Sequence, residues 1–409
     1  MVTRGTLVAY AFALIACGSS STQTDAGADA ANTNDADVDA GVINVAPVIV
    51  DQGPAGVGAV NVLYTTITLC IPGTTTCQTI DHVEVDTGSV GLRIVSSVLD
   101  AFLILPAATA GSGNPLIECY QYADGYNWGP VVTADVHIGG ETAASVPIQI
   151  AGGAASTPAP SACSSAGSEE DTVPTLGGNG LVGIGFQAAD CGNACANTTT
   201  PRTGSYYSCT GTTCTPAAVP IASQVQNPVS LFPSDNNGVA VELPAIDPGG
   251  AATVTGSLIF GIGTASNNAL GAAQIITIDA TTGYFTTVFA DQTLAASFID
   301  SGSVSYAFPD TAIPQCTTGS LTGFFCPPTS LSLMATNTGQ NHVSIATPFN
   351  VADANGLYGN GDAALNDLAI TAFTPGYFDW GLSFFYGRTV FTAISGAMTP
   401  GGAGPYFAY

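Results

Sequence analysis

The chain has 409 residues and sets 29 acidic side chains against four basic ones, all arginine (Arg4, Arg93, Arg202, Arg388). A surface this negative repels nucleic acid and anionic lipid headgroups, which excludes both as partners. The length allows two domains of ordinary size with a substantial core, and an acidic chain without lysine suits work at low pH.

The elements follow in chain order. "MVTRG" carries one cation, and "TLVAYAFALIA" is apolar but too short to span a bilayer as a mature helix. It runs into Leu14-Ile15-Ala16-Cys17, which resembles the bacterial lipobox. The resemblance implies a signal peptide over 1–16 and lipidation of Cys17. With Gly18 next, it also implies an exported lipoprotein at the outer membrane or cell surface, touching the membrane only through its lipid. Residues 17–55, rich in Ser, Ala, Asp, Asn and Gly, read as a disordered acidic tether with too little apolar surface to offset its ordering entropy. No later apolar stretch is long enough to cross a membrane.

From residue 56 onward the chain reads as all-β. Runs such as "VNVLYTTITLCI", "PVVTADVHIG", "ASVPIQIA", "GSLIFGIG", "AQIITIDA", "GYFTTVFA" and "RTVFTAI" are rich in β-branched and aromatic residues, and Gly, Pro, Asn and Asp separate them. One short helix is expected in "VSSVLDAFL".

Ten cysteines remain after Cys17, an even count that points to disulfides in an exported chain. Cys70 and Cys77 flank a turn, "IPGTTT", and Cys316 and Cys326 flank a short loop. Cys191, Cys195, Cys209 and Cys214 form a local cluster, for which export favours disulfides over zinc. Cys119 and Cys163 then pair by elimination. His82, His137 and His342 show no ligand spacing, so no metal or cofactor is expected. There is no GxSxG elbow, and "GGNGLVGIG" lacks the lysine and hydroxyl of a phosphate loop.

Two stretches carry the chemistry. "HVEVDTGSVGLRI" brings an apolar strand to Asp86-Thr87-Gly88-Ser89, and "SFIDSGSVSYAF" repeats the arrangement at Asp300-Ser301-Gly302-Ser303. Each is followed by an apolar strand containing glycine, "GLVGIGF" and "FDWGLSFFYG". Between them lies "QYADGYNWGPVVTADVHIGG". This order resembles the pepsin-like aspartic proteases over roughly residues 56–409. It looks closest to a bacterial exported branch known only as a domain of unknown function, in which "VQNPVSLFPSDNNGV" is also expected.

The resemblance implies a bilobal fold with a cleft between two β lobes. An N-terminal lobe would cover 56–225, with the flap and the Cys-rich loop, and a C-terminal lobe 226–409. It implies a monomeric aspartic endopeptidase of peptide or protein substrates, with Asp86 and Asp300 catalytic. Thr87 and Ser301 would brace the two loops, Ser89 and Ser303 would bond the outer carboxylate oxygens, and Tyr122 would close over substrate from the flap. Two carboxylates in contact cannot both ionise cheaply, so they share one proton and can act together as base and acid.

Two departures stand out. Arg93 occupies the place where pepsins usually carry tryptophan, which puts a cation near the pair. Glu84 shares a strand face with Asp86 and is expected to pair with Arg93. They motivate an alternative: a catalytically inactive lobe pair that binds peptide or polysaccharide.

Overall fold

The alternating residues of Leu63–Cys70 and Cys77–Asp86 pair as an antiparallel hairpin, with Cys70 opposite Cys77 at its end. In the computed structural model, which describes residues 44–409 apart from 155, 156, 318 and 373, this hairpin begins a closed barrel. Cys77–Asp86 runs parallel to Gly180–Ile184, which pairs with Val90–Val95. Val90–Val95 pairs with Glu141–Ala151, which pairs with Gly125–Ile138. Gly125–Ile138 closes the circle on Leu63–Cys70. Six strands therefore leave no free edge, and Ile67, Leu69, Val85, Leu92, Val136, Ile148 and Val182 fill the interior.

The second half builds a curled sheet of seven strands between Phe285 and Trp380. Its core is aromatic: Phe378 stacks on Trp380 at 4.2 Å and on Phe308 at 5.0 Å, with Phe349 edge-on to both Phe378 and Trp380. Between the halves, Val45–Val50 pairs with Leu63–Cys70 on one side and Val254–Phe260 on the other. The sheet continues through Gly238–Leu243, Arg388–Ala393, Tyr406–Ala408 and Ile275–Thr277.

The tether expected over 17–55 is therefore too long at its far end. "VAPVIV" is a paired strand with Ala46, Val48 and Val50 buried, because it bridges strands from both halves. Cys17 and the signal sequence lie outside the described residues. The helix expected in "VSSVLDAFL" shrinks to a 3-10 turn, Ser96–Val98, since Leu99 is already extended. All five disulfides form: Cys70–Cys77, Cys119–Cys163, Cys191–Cys195, Cys209–Cys214 and Cys316–Cys326. They mark a protein that matures in an oxidising, exported setting. Among the described residues no helix is long and apolar enough to cross a membrane.

Candidate active site

Asp86 is the last residue of its strand, and Asp300 follows directly on Gln292–Ile299. Each strand is pinned by a parallel neighbour: Val85 pairs with Val182, and Ile299 with Trp380. Both carboxyls are thereby held at rigid strand ends rather than on mobile loops. They meet in a shared hydrogen bond.

The glycines explain how the two turns come so close. A Cβ on Gly88 would lie 2.4 Å from the Asp300 carboxyl, and one on Gly302 would lie 2.6 Å from that of Asp86. Each motif's glycine makes room for the other motif's acid. The hydroxyls cross in the same reciprocal way. Ser301 Oγ accepts from the Thr87 N–H at 3.1 Å and donates to the Val85 carbonyl at 2.7 Å, while Thr87 Oγ1 accepts from the Ser301 N–H at 2.9 Å. These reciprocal bonds tie the Thr87 turn to the Ser301 turn.

The two serines part company. Ser303 Oγ donates to Asp300 Oδ2 at 3.1 Å. Ser89 reaches Asp86 Oδ1 through its backbone N–H at 3.1 Å, beside that of Gly88 at 2.7 Å, and its hydroxyl makes no hydrogen bond among the described residues. Burial, then the Asp86 charge and the shared hydrogen bond, push the Asp300 carboxyl up to about 8, against the pull of the Gly302 N–H and Ser303.

A hairpin of Leu116–Gln121 and Gly125–Ile138 covers the pair, with its tip closed by the Tyr122 N–H on the Gly125 carbonyl at 2.8 Å. Tyr122 lines the cleft, but its hydroxyl donates to Asn127 Oδ1 at 2.6 Å within its own hairpin. Tyr120 lines the cleft as well, its hydroxyl 3.4 Å from the Val90 N–H. Tyr120 is a site residue that no motif in the sequence marks, although two-residue alternation puts it on the face of Tyr122. Phe186, Tyr284 and Phe298 add an aromatic wall to the cleft, with the Tyr284 and Phe298 rings in contact, and Asp190 and Arg202 line it as well.

Arg93 does not pair with Glu84. It is wholly buried, donates to Glu118 Oε1 at 2.9 Å and to the Val90 carbonyl at 2.6 Å, and lies 3.5 Å over the Tyr120 ring. Position, not charge, decides this: Glu118 lies on the covering hairpin, whereas Glu84 sits in the barrel opposite Tyr64. Burial and the adjacent Asp190 push the Glu118 carboxyl up to about 8 against the attraction of Arg93. Glu118 and Asp190 are hydrogen-bonded to each other, so this one cation faces two acids that hold a proton between them.

The fold and site define a mostly β protein of two halves, in which paired Asp turns face a cleft beneath a hairpin. The chain belongs to the family described as "Protein of unknown function (DUF3443)", whose pattern matches residues 40–409. No curated protein matches it.

Proposed function

We propose that this protein is an exported, lipid-anchored aspartic endopeptidase with a pepsin-like two-lobed fold, Cys17 being the lipidated residue. The observation that carries the reading is the contact between Asp86 and Asp300, each held by its own turn and sharing one hydrogen bond at the floor of a cleft.

The chemistry follows from the shared proton. With Asp300 held as the acid, the pair carries one negative charge. A water between the carboxyls gives a proton to the ionised Asp86 as its oxygen attacks the peptide carbon. Asp300 gives its proton to the carbonyl oxygen, forming a neutral diol. On collapse, the proton on Asp86 passes to the departing amine, the C–N bond breaks, and Asp300 recovers its proton from the diol. A peptide lying between the hairpin and the aromatic wall would be held extended, its carbonyl over the pair.

The test is cleavage of a denatured protein by the purified chain from acidic to neutral pH. Asp86→Asn is expected to lose at least about 1,000-fold in kcat, since the pair then lacks its base, and pepstatin should block the unaltered protein. No cleavage at any pH, with peptide or polysaccharide still bound, would establish the inactive binding reading. Cleavage that survives in Asp86→Asn would sink both the residue assignment and the mechanism.

A further inference from the structure

The two halves differ behind their catalytic carboxyls. Each motif strand has a parallel neighbour: Leu181 stands beside Glu84, and Asp379 beside Phe298. The glycines Gly183 and Gly381 follow two residues later. Leu181 and Asp379 thus hold equivalent places, one filled by a hydrocarbon and the other by an acid.

Asp379 is buried, and neither of its oxygens makes a hydrogen bond of ordinary geometry among the described residues. The hydroxyl whose contact favours its charged form belongs to Ser303, which itself donates to Asp300 Oδ2 at 3.1 Å. The ionisable groups acting on Asp379 among the described residues are Asp300, from the turn after its neighbouring strand, and Asp86, from the opposite half. On its other flank Asp379 pairs with Ala307, which brings no polar side chain, and the next residue, Tyr306, donates its hydroxyl to the Ser383 carbonyl. A buried carboxyl on which two acids act, and no arginine among the described residues, stays neutral. As a neutral acid it becomes a donor, and Ser303 Oγ has a lone pair free to accept.

The geometry points to Asp379 as a third, proton-bearing carboxyl of the site, a positioning residue. It donates to Ser303 Oγ and thereby fixes the serine hydrogen on Asp300 Oδ2. The direction of every hydrogen bond on that side is then set before substrate arrives. On the Asp86 side Leu181 fills the equivalent place, the Gly88 and Ser89 N–H groups support Oδ1, and the Ser89 hydroxyl makes no hydrogen bond among the described residues. The catalytic consequence rests on the endopeptidase reading, but the held proton does not.

The experiment therefore has two arms, using the purified protein with Asp379→Asn, Asp379→Leu and Ser303→Ala. The first measures denaturant unfolding from about pH 4 to pH 8. A carboxyl kept protonated only in the folded state lowers the folding constant about tenfold per pH unit in this window. Both Asp379 variants should remove one such tenfold step per unit, and Ser303→Ala should keep it. A slope unchanged in both overturns the held proton. Asp379→Asn, nearly isosteric, carries the count if Asp379→Leu fails to fold.

The second arm measures cleavage. Asp379→Leu and Ser303→Ala should each lose about tenfold in kcat at unchanged KM, the scale of one hydrogen bond to a charged group, and Asp379→Asn should restore most of the loss because its amide still donates. Full kcat in Asp379→Leu overturns the positioning role. If the unaltered protein cleaves nothing, the endopeptidase reading fails by itself, and the first arm still decides whether Asp379 holds a proton.

Discussion

At the scale of single residues, the site depends on atoms that do no chemistry. Ser301 never touches substrate in the proposed mechanism, yet its hydroxyl serves both turns at once, accepting from the Thr87 N–H and donating to the Val85 carbonyl. Replacing it with alanine leaves a buried N–H and a buried carbonyl without these partners, in a place closed to water. The expected loss is about 2–4 kcal/mol of folding stability, since each orphaned buried group costs about 1–3 kcal/mol. Urea unfolding would measure it as a lower midpoint at unchanged m-value; a midpoint within error of the unaltered protein would show that the brace is dispensable. These residues were legible in the sequence only through the resemblance that the doubled Asp-Thr-Gly-Ser and Asp-Ser-Gly-Ser motifs carry, since either motif alone is common turn chemistry. Asp379 was not legible. It sits inside "YFDWGLSFFYG", where the surrounding aromatics read as plain core, and only the strand pairing brings it behind Asp300.

At the scale of elements, the hairpin over the cleft is fastened to the barrel by an ion pair rather than by apolar contact alone. Arg93 reaches from Val90–Val95 to Glu118 on the hairpin, and Tyr120 closes over its guanidinium. The sequence pointed to Arg93 but chose Glu84 as its partner, because strand alternation reports the face of a side chain and not which strand lies across from it. Cys119–Cys163 is a second fastening, and its pairing followed from elimination alone. Glu118→Ala would leave a wholly buried guanidinium without its nearest carboxylate. The cost should be about 3 kcal/mol, at the low end for a broken buried pair because Asp190 remains beside Arg93. Removing both, as Arg93→Leu with Glu118→Leu, should be less damaging than Glu118→Ala, because the acid left behind, Asp190, can take up a proton, whereas a stranded guanidinium cannot shed its charge. A double replacement worse than the single one would mean that the pair stabilises the hairpin outright.

At the scale of the whole molecule, the sequence conveyed the all-β character and the doubled Asp motifs, since both are written in local patterns. It did not convey the sheet between the halves, whose strands come from Val45–Val50, from the middle of the chain and from its far end. No local pattern shows a strand which partner it will find about 200 residues later, so "VAPVIV" reads as part of the tether. The molecule's acidity has a global consequence as well. Burial and neighbouring acids push Asp300, Glu118 and Asp171 each up to about 8, and Asp379 upward too. For an acid whose folded value exceeds its unfolded one, the stabilising share is complete below the ordinary carboxylate range near pH 4 and is lost as pH rises through the folded value. Asp279, held down chiefly by the Thr282 N–H, works in the opposite sense, but it is fully exposed. The formal charge of −25 at pH 7 adds self-repulsion in the same direction as the raised acids. The melting temperature should therefore be highest near pH 4 and fall steadily toward pH 8, and added salt should recover only the part due to surface repulsion, because buried groups are poorly screened. Calorimetry across that range at low and high salt would check both statements; a melting temperature that climbs with pH would mean that these carboxyls enter the folded protein ionised.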